Sequence, residues 1–90
     1  MQFEWNEDKA EATLKKHGVS FDEAETVFGD ALARIFDDEN HSYDEKRHAI
    51  IGHSESNRLL IVSFTEREND TIRIISARVT TPKESKDYAN

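Results

Sequence analysis

Arg47-His48-Ala49-Ile50-Ile51-Gly52-His53, then Arg58 to Thr65, then Thr71 to Val79 follow one another with only short polar turns between them, and this run decides the fold. Each stretch is rich in Ile, Val, Leu and Thr, the residues that fit a pleated surface. Their closeness in sequence predicts an antiparallel meander. Upstream, Ala31 to Phe36 reads as a strand, although so short a run also suits a helix, and the acidic stretch Asp37 to Glu45 reads as a loop. Downstream, Thr81-Pro82 reads as the N-cap and first residue of a short helix, Lys83 to about Tyr88, because proline's fixed φ suits a first helical turn.

The first thirty residues hold two helices by their caps. Phe3 and Trp5 flank Glu4 in a short alternating start. Asn6 can cap a helix with Glu7 and Asp8 in its first turn and Lys15, Lys16 and His17 in its last, and Gly18 stops it. Ser20 and Glu23 form a capping-box pattern for a second helix, whose apolar face is Phe21, Ala24, Val27 and Phe28. Trp5 and Phe21 read as core aromatics rather than base-stacking platforms. The order predicts one α+β domain over residues 1–90, with two N-terminal helices packed on a four-stranded, mainly antiparallel sheet and a short C-terminal helix.

The chain of 90 residues carries a net charge of -7, which in a uniform distribution repels nucleic acid and anionic membrane alike. The distribution is not uniform. Residues 1–45 hold thirteen acids and four bases, a balance of -9, while residues 46–90 hold six acids and eight bases, a balance of +2. With no cysteine there is no disulfide framework, thiol catalysis or Cys-based zinc site. No apolar run approaches the ~20 residues of a bilayer span, so a cytoplasmic protein is expected.

The second half concentrates five arginines, Arg47, Arg58, Arg67, Arg73 and Arg78, on the predicted sheet, with Lys83 entering the last helix. Guanidinium recognises phosphate bidentately and keeps its charge through a phosphoryl transition state, so phosphodiester chemistry would suit such a surface. The competing reading has the arginines lie flat over apolar surface or pair with carboxylates. Strand parity adds a condition: in an ideal strand Arg73 shares a face with Ile75, Ala77 and Val79, and Arg78 shares the other with Ile72, Ile74 and Ser76. Both serve one site only if a bulge intervenes or Arg78 lies beyond the regular strand.

His41, His48 and His53 sit near Asp37, Asp38 and Asp44, but no two histidines stand at the i, i+4 spacing that serves zinc on a helix, and the acidic loop lacks the glycine of a calcium loop. A metal or cofactor is therefore not expected. His48 or His53 can act as a proton carrier, or simply be exposed or capping. No Gly-x-Ser-x-Gly elbow and no phosphate-binding glycine loop is present.

The opening Phe3-Glu4-Trp5-Asn6-Glu7, the corner from Lys16 to Ala24 continuing to Val27-Phe28, the strand Arg58-Leu59-Leu60-Ile61-Val62, and Thr65-Glu66-Arg67 followed by Ile72 to Arg78 together resemble the BrnT family of bacterial toxins, from about residue 3 to residue 88. The resemblance implies a RelE-like fold and the toxin component of a type II toxin-antitoxin module. It further implies a metal-independent endoribonuclease that halts translation, with a BrnA-type antitoxin as partner, whose ribbon-helix-helix part binds promoter DNA. By that resemblance Arg67 and Arg78 are the leading phosphate or transition-state groups, with Arg73 and Arg47 close behind, and His53, Glu66 and Tyr88 are the candidates for proton transfer. Arg47, Arg58, Lys83 and Tyr88 are expected to bind RNA. The acids Asp22, Glu23, Glu25 and Asp30 are expected to steer a basic antitoxin, or to serve solubility. A second reading is a binding module of weak or lost nuclease activity, acting as antitoxin partner and corepressor.

Overall fold

The computed structural model of the chain describes residues 1–37 and 46–89, so the readings placed on Asp38, His41 and Asp44 and on most of the acidic stretch fall outside the described residues. The elements run β1 (Gln2–Glu4), α1 (Glu7–His17), α2 (Phe21–Thr26) with a 3-10 turn at Val27–Gly29, β2 (Arg34–Asp37), β3 (Arg47–His53), β4 (Leu59–Arg67), β5 (Thr71–Val79) and α3 (Pro82–Ala89). Among the described residues the fold is α+β with three helices and a five-stranded mixed sheet in the order β1-β5-β4-β3-β2.

The expected meander is present, with β2-β3-β4-β5 antiparallel throughout. The expected four strands become five because the short N-terminal start crosses the molecule and pairs parallel with β5, Phe3 opposite Ile72. That pairing joins segments about seventy residues apart, and three residues of alternation carry no local sign of it. The expected strand Ala31–Phe36 shifts to Arg34–Asp37, because Asp30 turns the chain first: its carboxylate accepts the Leu32 N–H at 2.9 Å.

The helix caps form as their side chains dictate. Asn6 accepts the Lys9 N–H at 3.1 Å, and Gly18 closes α1 in the left-handed region at φ 70°, its N–H donating to the Leu14 carbonyl. Ser20 accepts the Glu23 N–H at 3.0 Å, but the capping box is not reciprocated, since the Glu23 carboxylate turns to Arg58 and Ser54 instead. In α3 the reciprocal box does form: the Glu84 N–H donates to Thr81 Oγ1 and Glu84 Oε1 accepts the Thr81 N–H at 2.8 Å.

The core lies between one face of the sheet and the α2 corner. Val19, Phe21, Ala24 and Val27 bury against Ile50, Leu60, Val62, Phe64, Ile72, Ile74 and Ala77. Edge-to-face rings link Phe3 to Phe28 at 5.1 Å, Phe28 to Phe64 at 5.0 Å and Trp5 to Phe21 at 5.9 Å, which makes the two predicted core aromatics core residues. Gly52 allows the closest approach, because a Cβ there would stand 2.8 Å from Ala33 Cβ and 3.0 Å from Asp30 Oδ2.

Candidate functional site on the open face of the sheet

One irregularity in β5 decides where the arginines stand. Ser63 pairs with Ser76 but the next residue, Phe64, pairs with Ile74, so Ile75 is an extra residue in β5. Without it, strict alternation would send Arg73 and Arg78 to opposite faces; with it, both lie on the face turned away from the α2 corner. Ile74 and Ala77 remain in the core on either side of the bulge.

The register then lays out the open face as rows across the strands. Arg47, Thr65 and Arg73 form one row, Phe36, Ala49, Ser63 and Ser76 the next, and Arg34, Ile51, Ile61 and Arg78 the third. Phe36, Arg47, Ala49, Ile61, Ser63, Ser76 and Arg78 line a concavity of about 360 Å³, whose floor of small and apolar side chains has Arg47 and Arg78 at diagonal corners. A second concavity continues from it over Arg47, Ile75 and Ser76 to Lys9, Lys16 and His17 of α1. From the sequence Lys16 and His17 read only as residues of the last turn of α1 and Lys9 as one more base; nothing local shows that the bulge brings β5 beside them. Thr65, in register between Arg47 and Arg73, is buried and its hydroxyl has no hydrogen-bond partner.

Arg78, Arg73 and Arg58 carry carboxylates, as the competing sequence reading allows. Arg78 donates from both Nη atoms to the two Glu84 oxygens at 2.7 Å each, and these hydrogen bonds hold the Glu84 carboxyl down to about 2 while raising the Arg78 guanidinium. Arg73 donates to Glu4 Oε2 at 2.7 Å. Arg58 serves the fold: it pairs with Glu23, donates to the Gly18 carbonyl at 3.0 Å, and lies next to Ser54, whose hydroxyl also donates to Glu23 at 2.7 Å. The Arg58 hydrogen bonds hold the Glu23 carboxyl below its ordinary value, so Arg58 and Glu23 neutralise each other at the α1–α2 corner.

At the far end of the open face Asp30 is a hub. Its Oδ2 accepts the His53 N–H at 2.8 Å and the Tyr88 hydroxyl at 3.2 Å, and the Tyr88 hydroxyl also reaches the Leu32 carbonyl at 3.3 Å. The His53 N–H, then the Leu32 N–H, hold the Asp30 carboxyl below its usual range. Burial, then the Asp30 charge, push the Tyr88 hydroxyl up, so it stays protonated at neutral pH. The His53 and Tyr88 rings meet edge-to-face at 5.6 Å. His48 instead lies on the α2 side, tilted against Phe64 and 3.0 Å from Asp37.

The structure therefore gathers Arg47, Arg73 and Arg78 on one face, with His53 and Tyr88 at its α3 end. Arg67 shares that face one row beyond Arg73, on the side away from Arg78, and Glu66 does not share it. Arg67 lies on the open face at the end of β4, opposite Thr71 and six residues along the strand from the Arg78 row, about 20 Å away. Glu66 pairs with Ile72 and points to the other face. Lys83 is exposed on α3, Asp22 is exposed on α2, and Glu25 is half-buried. Among the described residues no three His, Asp or Glu side chains converge as a metal site requires.

Fold and cleft together define a small α+β protein with a cation-lined cleft on the open face of its sheet. The family model of BrnT, the ribonuclease toxin of a type II toxin-antitoxin system, matches residues 5–84, and the chain belongs to that family. Its fold is similar to the 1.1 Å crystal structure of the Brucella abortus ribonuclease toxin BrnT, with a TM-score of 0.69 and 23% sequence identity over 90% of this chain and 97% of that one. No curated protein matches the chain. As a member of a type II toxin family it has an antitoxin as its partner. No helix among the described residues is long and apolar enough to cross a membrane.

Proposed function

We propose that the chain is a metal-independent endoribonuclease that cleaves RNA on the open face of its sheet, thereby inhibits translation in the cytoplasm, and is neutralised by a BrnA-type ribbon-helix-helix antitoxin. The observation that carries this reading is the bulge at Ile75, which puts Arg73 and Arg78 on the face of Arg47, where Arg47 and Arg78 flank a concavity floored by small and apolar side chains that a nucleotide can approach. In the proposed reaction the ribose 2′-hydroxyl attacks the adjacent phosphorus in line, the bond to the 5′ oxygen breaks, and a cyclic phosphate is left. Arg78 and Arg47 hold the phosphoryl oxygens as charge builds on them. His53 is the candidate proton acceptor. Tyr88, held protonated, is suited to donate a proton or a hydrogen bond and not to act as base. Arg67 and the α1 cations Lys9 and Lys16 follow the strand beyond the cleft, a role in binding and not in chemistry.

The test is cleavage of a short RNA by the purified protein in a chelator. Arg78→Ala is expected to slow cleavage ~100-fold or more, whereas Arg67→Ala weakens binding by about 1–3 kcal/mol with the rate at saturation unchanged. Cleavage that requires a divalent ion, or that survives Arg78→Ala at full rate, overturns the reading.

One observation favours the alternative of a binding module with weak nuclease activity: Glu84 already occupies Arg78, and Glu4 occupies Arg73 on the same face. In the active-enzyme reading Glu84 is a displaceable stand-in for phosphate, and Glu84→Gln raises RNA affinity. In the binding-module reading Glu84→Gln leaves both affinity and the absence of cleavage unaltered.

A further inference from the structure

The outer strand β2 is exposed along its whole length, and it has a hydrogen-bonded neighbour on one side only among the described residues. Native sheets protect such an edge with a central charge, a proline, a bulge or a covering element, because its unpaired N–H and C=O groups invite another strand. Among the described residues β2 has none of these. Its middle residues are Ile35 and Phe36, 62% and 47% exposed, and Leu32 just before it is 77% exposed.

The two apolar side chains stand on opposite faces. Ile35 pairs with Ile50 and lies on the side of the α2 corner, while Phe36 pairs with Ala49 and lies on the open face. On that face Phe36, Ile51, Ile61 and Tyr88 line a concavity of about 290 Å³ together with Arg34, Glu84 and Asp87. A strand added to β2 would place alternate side chains against Ile35 on one side and over this concavity on the other.

Two considerations choose the occupant. A second copy of the chain would bring together two molecules of charge -7, and a four-residue edge buries far less than the ~1,200 Å² of a stable pair. A basic, extended segment that continues past the edge onto further surface has neither difficulty, since the same charge attracts it and the edge is one part of its contact.

We propose that β2 is the docking strand for an extended segment of the antitoxin, rich in Lys or Arg with aliphatic residues at alternate positions, which extends the sheet from five strands to six. The proposal rests on the toxin-antitoxin reading and deepens it. It also places the antitoxin next to the α3 end of the cleft, where it meets Tyr88 without occupying the Arg47–Arg78 floor.

The probe is the complex of this chain with its antitoxin protein, both full length and co-expressed. Amide hydrogen exchange at residues 34–37 is expected to slow at least about tenfold in the complex relative to the free chain. Ile35→Lys, at an exposed position, is expected to weaken binding about tenfold with the melting temperature unchanged, and Ile35→Val to bind as the wild type does. Antitoxin binding with unchanged exchange at 34–37 overturns the docking strand and leaves the toxin-antitoxin reading intact. Absence of any association with the wild-type chain overturns both. A concentration-dependent dimer of the chain alone that Ile35→Lys abolishes assigns the edge to self-association and overturns the proposal.

Discussion

Gly52 shows how closely the α3 end of the cleft is set. It lies one residue before His53, whose N–H anchors Asp30, and the space above its Cα is already filled by Ala33, Asp30 and Val27. Gly52→Ala is expected to destabilise the protein by about 1–3 kcal/mol by overpacking. Because Asp30 must move, the Tyr88 hydroxyl also loses its partner, and its titration shifts down toward the ordinary phenol value, which a spectrophotometric pH titration reads. A Gly52→Ala protein that melts and titrates as the wild type does contradicts this packing. Asp30 itself was legible in sequence only as one more surface acid. Its role depends on three partners 2, 23 and 58 residues away, of which only the first is local.

Among the elements, α3 is tied to the sheet by a charged pair, Glu84 on Arg78. Its capping box, Thr81 with Glu84, could be foreseen from Pro82 and the Thr-x-x-Glu spacing, but that the same carboxylate would grip Arg78 could not, because strand and helix meet only in the folded chain. A carboxyl held below its unfolded value stabilises the fold in full above that value and loses the contribution as pH falls through the folded one. For Glu84 the window runs from 4.5 down to about 2, and Glu23 titrates in the same direction. The Glu84 contribution is about 2 kcal/mol once its partial exposure is allowed for. Acidification below pH 4 is therefore expected to release α3 ahead of the core, seen as early loss of the His53–Tyr88 ring contact by NMR. Glu84→Gln should show that release at neutral pH, and simultaneous loss of α3 and core in the wild type counts against it. The helices, their caps and the antiparallel meander were readable because local rules set them. β1 was readable as a short extended start, but its place in the sheet was not, because its partner strand lies at the other end of the chain.

At the scale of the molecule, a charge of -7 and a cation-lined cleft coexist because the arginines converge while the acids are spread or paired. Long-range attraction for RNA is then weak and affinity depends on contact. With Arg47, Arg73 and Arg78 as the phosphate contacts, the logarithm of the binding constant for single-stranded RNA should fall with the logarithm of salt at a slope of about -2, and Arg47→Ala should reduce that slope by about 0.7. A slope near zero in the wild type would remove the cleft as the binding surface.

The extra residue at Ile75 has a consequence for how the chain can change over generations. The cleft is stored partly as a bulge: Ile75 is taken up without a partner on β4, so Arg73 and Arg78, five residues apart in sequence, keep the even spacing that one face needs. A substitution at Ile75 alters one side chain. Loss of that codon would leave a regular strand in which Arg73, Ser76 and Arg78 still alternate with Ile74 and Ala77, the faces unchanged. A further inserted residue that the sheet did not take up would instead turn Arg78 toward the core and Ala77 toward the cleft, so shortening at this one place is open to a descendant of this chain while unabsorbed lengthening is closed.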